Sequence, residues 1–510
     1  MRVSGQFRCV RGREEIVLMN DLEGSKHSGT FTISPGKDIY GELTFKGPQT
    51  SLYLHDKAFF STNEIPDQCI SGTLHDLTKV SLIKCLTPLI PGSVWRGGKM
   101  YHFANIFLHF VVYGDRHITP AEKSIASVHF VIDDASTLFY DFDAFGSLID
   151  ARPFIEQISR ANALDREIIT GPDPAILYFT GKREIFAADT ALGRISASHD
   201  PRRNLGGPDG VYLKNTIFVN LAFKEARAFD DAIDHTLTLL RYLEILVGRP
   251  QNVLELRLRI QSDEETPVFL RVYWSMPPKR ESSDEERKPH PADVLLGAVR
   301  EPETFSRVLA KWLDRRQTWQ DARQRFSNSF AKQHRYDIDR LIGSANMFDI
   351  LPSAAVPTDV PLSKELTDAK ETCRAIFDRL PLSPERATVL SALGRVGKSA
   401  LKQKIRYRAQ LVIDAAGNRF PELVTVIDEA VNCRNHYVHG SDPRFNYNDN
   451  FNAVVFFTNT LEFVFAASDL IEAGWDIQAW SEIGTTMSHP FGAYRVNYAL
   501  SLQKLKALLP

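Results

Sequence analysis

The sequence predicts an α+β protein of several domains: a β-rich, sandwich-like N-terminal half with one inserted helix, followed by an all-helical bundle. Three observations point there. Short apolar runs punctuated by turn residues fill the first 150 positions, and one long amphipathic stretch interrupts the strands at residues 228–247. Beyond Glu301 strand alternation gives way to helical spacing. At 510 residues the chain exceeds one ordinary core, so about three domain-sized units are expected.

In the first unit, residues 1–150, the runs Thr30 to Ile33, Leu52 to Leu54, Val80 to Ile83, His109 to Tyr113 and Val128 to Ile132 read as short strands. Gly, Pro, Asp and Asn separate them, a texture that fits a sandwich. Residues 151–276 continue the strands around a single helix. Phe229, Ala232, Ile233, Leu237, Leu240, Leu243 and Val247 fall at helical spacing from Ala228 to Val247, and Gly248 and Pro250 end it. Val253 to Ile260 then alternates as a strand. The polar run from Pro277 to Pro291 has no large apolar residue to pack; it is a long loop or the linker between halves, and residues 277–300 are assigned to it. Residues 301–510 form the helical domain. Its greasiest segment, Ala453 to Ala467, is interrupted by Thr458, Asn459 and Glu462 and falls short of the ~20 apolar residues of a membrane span. It reads as a buried core helix.

Composition narrows the function classes. A hydrophobic fraction of 43% with 24% charged residues is globular rather than disordered or fibrous. A net charge of −2 carries no overall basic excess, so any nucleic-acid surface has to be local. Arg2 and Arg8 precede no apolar core of signal-peptide length. The five cysteines are scattered without C-x-x-C spacing, which argues against a zinc site or disulfide framework and for a reducing, cytoplasmic setting without membrane attachment.

Two motifs invite chemistry and are set aside. Ala392-Leu393-Gly394-Arg395-Val396-Gly397-Lys398-Ser399 resembles a phosphate-binding loop, but Ala392 replaces the first glycine and the preceding stretch is itself helical, with Ser383 as cap and Pro384 in the first turn. A helix–loop–helix junction is expected, broken at Gly394 and Gly397 and resumed from Ser399. The acidic pairs Asp133-Asp134 and Asp141 with Asp143 lack a companion His at ligand spacing and read as solvated turns, leaving neither metal nor cofactor indicated.

Three Arg–His pairs have a spacing of five or six: Arg96 with His102, Arg194 with His199, and Arg434 with His439. Only the last lies on a convincing helix, which starts near Pro421. Its apolar stripe of Leu423, Ile427, and Ala430 or Val431 leads to Arg434, placing that guanidinium toward a packed or interfacial surface, where a phosphate is a suitable counter-charge. Gly440 and Pro443 end the helix at about His439. Residues five apart differ by roughly 140° in direction, so Arg434 has to use its length to share a cleft with His439. Cations at a helix C-terminus are also favoured by its dipole, so the pair by itself does not establish a site.

Arg434-Asn435-x-x-x-His439 at the end of a late helix in an all-helical domain resembles the R-x(4–6)-H signature of the HEPN superfamily, in which a polar residue commonly follows the Arg. Asn435 meets that preference. The layout of the whole chain is similar to ApeA-type antiphage proteins, which join a β-rich N-terminal region to a C-terminal HEPN domain. The helix before Gly394, followed by Ser399 to Ile405, is of the kind that precedes their catalytic helix.

The resemblance implies a metal-independent endoribonuclease, acting as a homodimer or higher homo-oligomer. Arg434, Asn435 and His439 are its catalytic candidates, with His436 and Tyr437 assisting. The 2′-hydroxyl of RNA would attack the adjacent phosphate, leaving a 2′,3′-cyclic phosphate and a 5′-hydroxyl. A transfer RNA or other translation RNA is the implied substrate, and a phage-derived trigger would be sensed by the β-rich half. Lys402, Lys404, Arg406 and Arg408 form a candidate RNA-binding strip, although their alternate spacing splits them between two helix faces. Arg315, Arg316, Arg323 and Arg325, interleaved with Trp312 and Trp319, read as a stabilising surface with its aromatics toward the core. Two other readings remain: a non-catalytic HEPN module that holds a nucleotide or RNA, and a ligand-binding β half served by dimerising helices.

Overall fold

The computed structural model describes residues 26–509, apart from 35–36, 47–48, 57–68, 87–91, 163–168, 205–207, 209, 211, 263–265, 279–287, 334, 358–361 and 398. The strands are β1 (Lys26–Ser34), β2 (Lys37–Lys46), β3 (Gln49–Asp56), β4 (Cys69–Leu74), β5 (Lys79–Leu86), β6 (Gly92–Arg96), β7 (Lys99–Gly114), β8 (Ile125–Ile132), β9 (Phe145–Ile149), β10 (Ala175–Phe179), β11 (Glu184–Asp189), β12 (Arg194–Arg203), β13 (Leu213–Arg227), β14 (Val253–Ile260) and β15 (Val268–Trp274). The helices in this half are α1 (Ala135–Leu138), α2 (Arg152–Asn162) and α3 (Phe229–Val247). Those that follow are α4 (Pro302–Asp314), α5 (Arg316–Phe330), α6 (Ile338–Asn346), α7 (Lys364–Asp378), α8 (Pro384–Arg395), α9 (Leu401–Ala416), α10 (Leu423–His439), α11 (Phe451–Ala473), α12 (Ile477–Glu482) and α13 (Pro490–Leu508).

The β-rich and helical halves are as expected, and each of the five apolar runs lies in a strand. Thirteen strands join in one continuous antiparallel sheet rather than two separate facing sheets. Its centre is the long β7, whose first part is flanked by β3 and β6 and whose second part is flanked by β5 and β15. Because β1 also pairs with β2 and β4, the strands β1–β2–β3–β7–β5–β4 close into a six-membered ring. Phe31, Leu43, Leu52, Ile70, Leu82 and Ile106 fill its own core. A Cβ on Gly72 would come within 2.0 Å of the Phe31 ring, so the Phe31 ring occupies space that only glycine leaves free. Period-two alternation lets β7 serve two cores: Val111 packs with the ring interior, while Phe110 and Val112 face the cluster beneath α3.

That second cluster is continuous with the helical half. The segment assigned as a polar linker contributes to it. Residues 279–287 lie outside the described residues, but Val294, Leu295, Leu296 and Ala298 are buried between the halves, and Trp475 donates its indole N–H to the Leu295 carbonyl at 3.2 Å. The apolar cluster Val294 to Ala298 was masked by the polar run before it. Asp293 is clamped here by the hydroxyls of Thr485, Thr486 and Ser488 and the amides of Thr486 and Ser488.

The neighbouring His489 is fully buried, donating from Nε2 to the Ile245 carbonyl and accepting the Phe491 amide at Nδ1. Both ring nitrogens are satisfied only in the neutral form, and burial brings its pKa down to about 4. The unfolded chain therefore binds the extra proton first as pH falls. Stability from this group is intact above pH ~6.5 and declines toward pH 4, by roughly 3 kcal/mol in all. Urea unfolding of wild type and His489→Gln across that range is expected to show a steeper loss for wild type.

The helical half is built on α11, which packs against α4, α5, α6, α9, α10 and α13. It is the one described helix long and apolar enough to cross a membrane, and 83% of its most apolar window is buried inside the protein. Three carboxylates on α11 meet arginines from the surrounding helices: Glu462 with Arg340, Asp469 with Arg323 and Arg315, and Glu472 with Arg408 and Arg315. Arg323 also lies 3.6 Å from the Trp312 ring centroid. Of the four arginines read from sequence as stabilising, Arg315 and Arg323 have that position, because low local dielectric makes a buried cation require a nearby anion, whereas Arg316 and Arg325 meet none of these carboxylates.

Candidate functional site

The helix α10 starts at Leu423, two residues beyond Pro421, and buries Leu423, Val426, Ile427, Ala430, Val431 and Cys433. Gly440 ends it in the left-handed region (φ 68°), where its amide closes on the His436 carbonyl at 2.9 Å. The last turn keeps its helical hydrogen bond, so the geometry at the end of α10 depends on side-chain reach and not on unwinding.

Arg434 is half-buried at the edge of the apolar stripe. Its Nη1 donates to Asn435 Oδ1 at 3.1 Å and lies 3.0 Å from His439 Nε2; its Nη2 donates to Asn346 Oδ1 at 2.9 Å. Guanidinium only donates, so the contact with His439 requires an Nε2 lone pair, placing the imidazole proton on Nδ1. The Arg434 Nε is buried with no hydrogen-bond partner. Every partner of this arginine is neutral, and no carboxylate pairs with it among the described residues. By contrast, the buried arginines beside α11 meet carboxylates. The arrangement holds a positive charge ready for an anion next to an exposed imidazole.

Sequence reading missed Asn346, because it lies 88 residues upstream at the end of α6 and only the packing of α6 on α10 brings it to the motif. Asn346→Asp would set a carboxylate against the guanidinium in place of a neutral oxygen. Weakened anion binding is expected, with KM for an RNA substrate raised roughly 10- to 100-fold; steady-state kinetics beside Asn346→Ala would check it.

His436 and Tyr437 turn toward the following loop. His436 Nδ1 donates to the Ser441 carbonyl at 2.7 Å, and Tyr437 donates to Asn448 Oδ1 at 3.2 Å. With Pro443, Phe445 and Tyr447 they line a small separate hollow. Cys433 is buried one position before Arg434, and burial pushes its thiol up to about 12, away from nucleophilic use.

The four basic residues of α9 do not form one strip. Lys402 donates to Asn432 Oδ1 at 3.2 Å, and Lys404 donates to the Asp349 carbonyl at 2.9 Å. Arg406 is paired with Asp428 at the surface. Arg408 is 1% exposed and donates to Ser468 and Glu472, so it belongs to the core. Helical spacing had already split the four between two faces, but the carboxylate awaiting Arg408 could be located only in three dimensions.

The set-aside motifs resolve structurally. Ser383 caps α8, which continues through Gly394; Gly397 breaks the chain, and Ala400 rather than Ser399 precedes α9, with Gln403 accepting its amide. Asp134 is buried in a bidentate pair with Arg249, and the Asp141 carboxylate is largely buried 3.6 Å from both Lys182 and His199, correcting the solvated-turn expectation for these two, while Asp143 is exposed. Arg194 pairs with Glu184 at the surface while His199 is buried, so strand alternation separates that pair. Arg96 and His102 sit in the β6–β7 hairpin opposite Lys99 and Ser93. No group of three or more metal-ligating side chains occurs among the described residues.

Residues 26–312 match ApeA N-terminal domain 1. The chain belongs to the ApeA family. Residues 342–478 match the Apea-like HEPN family, a span that contains Asn346, all of α10 and most of the bundle. The ApeA N-terminal match ends inside α4, the helix that packs on both β11 and α11. No curated protein and no solved structure matches this ApeA-family chain. Its HEPN domain supports a nuclease or RNA-binding role in antiphage defence.

Proposed function

We propose that this ApeA-family chain is a metal-independent endoribonuclease whose centre is Arg434, Asn435 and His439. The observation that carries the reading is Arg434: half-buried, held only by neutral acceptors, with an unpartnered Nε and a neutral imidazole nitrogen 3.0 Å from its Nη1. A scissile phosphate supplies the missing anion. As the phosphate draws the guanidinium to its own oxygens, His439 Nε2 is released and takes the proton from the 2′-hydroxyl, the 2′-oxygen bonds to phosphorus, and the P–O5′ bond breaks as the leaving oxygen gains a proton from a general acid on the opposite side. Arg434 stabilises the charge that grows on the phosphoryl oxygens, and Asn435 helps fix the guanidinium. A second copy supplies the opposite proton-transfer role. Family resemblance supports transfer RNA or other translation RNA as substrate, a cytoplasmic setting, and sensing of a phage-derived trigger by the β-rich half.

Purified protein in EDTA is expected to cut cellular RNA but not DNA, leaving 2′,3′-cyclic phosphate and 5′-hydroxyl ends. Cleavage of DNA, or RNA products with 5′-phosphates, would exclude 2′-hydroxyl attack. Saturable RNA binding with no cleavage, in the presence of the trigger, would favour the non-catalytic HEPN module instead.

A further inference from the structure

The helical hairpin α7–α8 stands apart from the core that organises the other helices. No residue of α7 is buried, and its main packing partner is α8. One face of α7 is covered by that contact: Lys370 and Phe377 are half-buried, Lys370 Nζ donates to the Val396 carbonyl, and Arg386 donates to the Phe377 and Asp378 carbonyls. A second face is apolar and open. Leu366, Ala369, Cys373 and Ile376 follow one another on α7 at spacings of three, four and three, Leu380 comes four further on in the turn just past the helix, and all are exposed; Leu366, Ile376 and Leu380 are 55%, 54% and 47% exposed. Leu382, just beyond, is 91% exposed. This is a coiled-coil seam, since alternating three- and four-residue steps keep apolar side chains facing a partner helix rather than a flat surface.

The flanks of the seam identify the partner. The side toward α8 is blocked, and the open side carries Glu365 at the start of α7 and Arg379 immediately after its end. Neither has an ion-pair partner among the described residues. In an antiparallel pair of identical helices, Glu365 of each copy approaches Arg379 of the other, giving two complementary contacts related by a twofold axis. Parallel pairing would instead turn Glu365 of each copy toward the α8-covered flank of the other, where Lys370 already donates to the Val396 carbonyl. We propose that α7 is a self-association surface that pairs antiparallel with α7 of a second copy of this chain, with Cys373 near the axis. Cys373 is the exposed cysteine among those described; Cys69 is half-buried, and Cys85 and Cys433 are buried. The pairing concerns association alone and does not depend on RNA being cut.

The full chain is expected to sediment at micromolar concentration with at least twice the mass of one chain. Ile376→Glu, at an exposed position that leaves the circular dichroism unchanged, should weaken association about tenfold or more. Glu365→Arg should weaken it too, and adding Arg379→Glu should restore it. In a Cys9→Ser background, a short bifunctional thiol reagent should link two chains through Cys373, and Cys373→Ser should abolish the linked species. A monomeric wild type would overturn the proposal. So would an oligomer that ignores Ile376→Glu and the charge reversal, or one whose chains the reagent fails to link; in each case the seam would face a different partner.

Discussion

His439→Ala is expected to reduce RNA cleavage by roughly 10²–10⁴-fold, the usual contribution of a positioned general acid–base group. The imidazole lies at an exposed helix end, so its removal costs little stability, and the loss should appear in kcat with the melting temperature nearly unchanged. Arg434→Ala is expected to lose at least as much, because it removes the phosphate's counter-charge and also releases Asn346, Asn435 and His439 from their shared donor. Arg434→Lys should rescue little: a single ammonium cannot reproduce the two donor nitrogens that reach Asn346 and His439. Single-turnover cleavage in EDTA, with each variant checked by thermal melting, separates chemistry from folding. Activity that survives both alanine variants would move the site away from α10.

The second large effect lies in the core. Glu462→Ala leaves Arg340, 3% exposed, without the carboxylate that accepts its Nε and Nη2 at 2.9 and 2.8 Å, and strips an acceptor from Ser329 and Ser344. An uncompensated buried cation costs about 3–5 kcal/mol, a large part of the stability of a typical domain. Replacing both partners with methionine should recover much of that loss, because the desolvation of two charges disappears together with their attraction. Chemical denaturation of the two single variants and the double would show it as strong non-additivity. Arg340 sits six residues before Asn346 on α6, so Glu462→Ala is also expected to blunt activity by loosening the helix that holds the Asn346 oxygen against Arg434.

Local pattern accounts for much of what could be read without coordinates. The period of 3.6 in α3, the alternation of β14 and the glycines at 248 and 440 are properties of neighbouring residues, and they located those elements within one or two positions, whereas β7 begins ten residues before the apolar run His109 to Tyr113 that signalled it. The helix α2 was missed: its moderate length and polar content gave little beyond an amphipathic face, and that face remains largely exposed in the fold. The Arg434–His439 motif was legible because both residues belong to one helix end, whose length and stop signal are local.

Contacts between distant segments were decided only by tertiary structure. The ring of β1 to β5 with β7 depends on β7 being long enough to pair with four strands, which no single-strand pattern reveals. Arg408 and Arg434 look alike in sequence, each a basic residue on an amphipathic helix. Packing sets one against Glu472 and Ser468, cancelling its charge, and leaves the other among neutral oxygens with its charge intact. The sequence by itself determined the two-part architecture, which follows from backbone periodicity and capping, and its resemblance to the HEPN signature singled out Arg434 and His439 as candidates. Which cation is spent inside the core and which is left to bind an anion was decided by folding, because electrostatic partners separated by 60 to 90 residues meet only when helices pack.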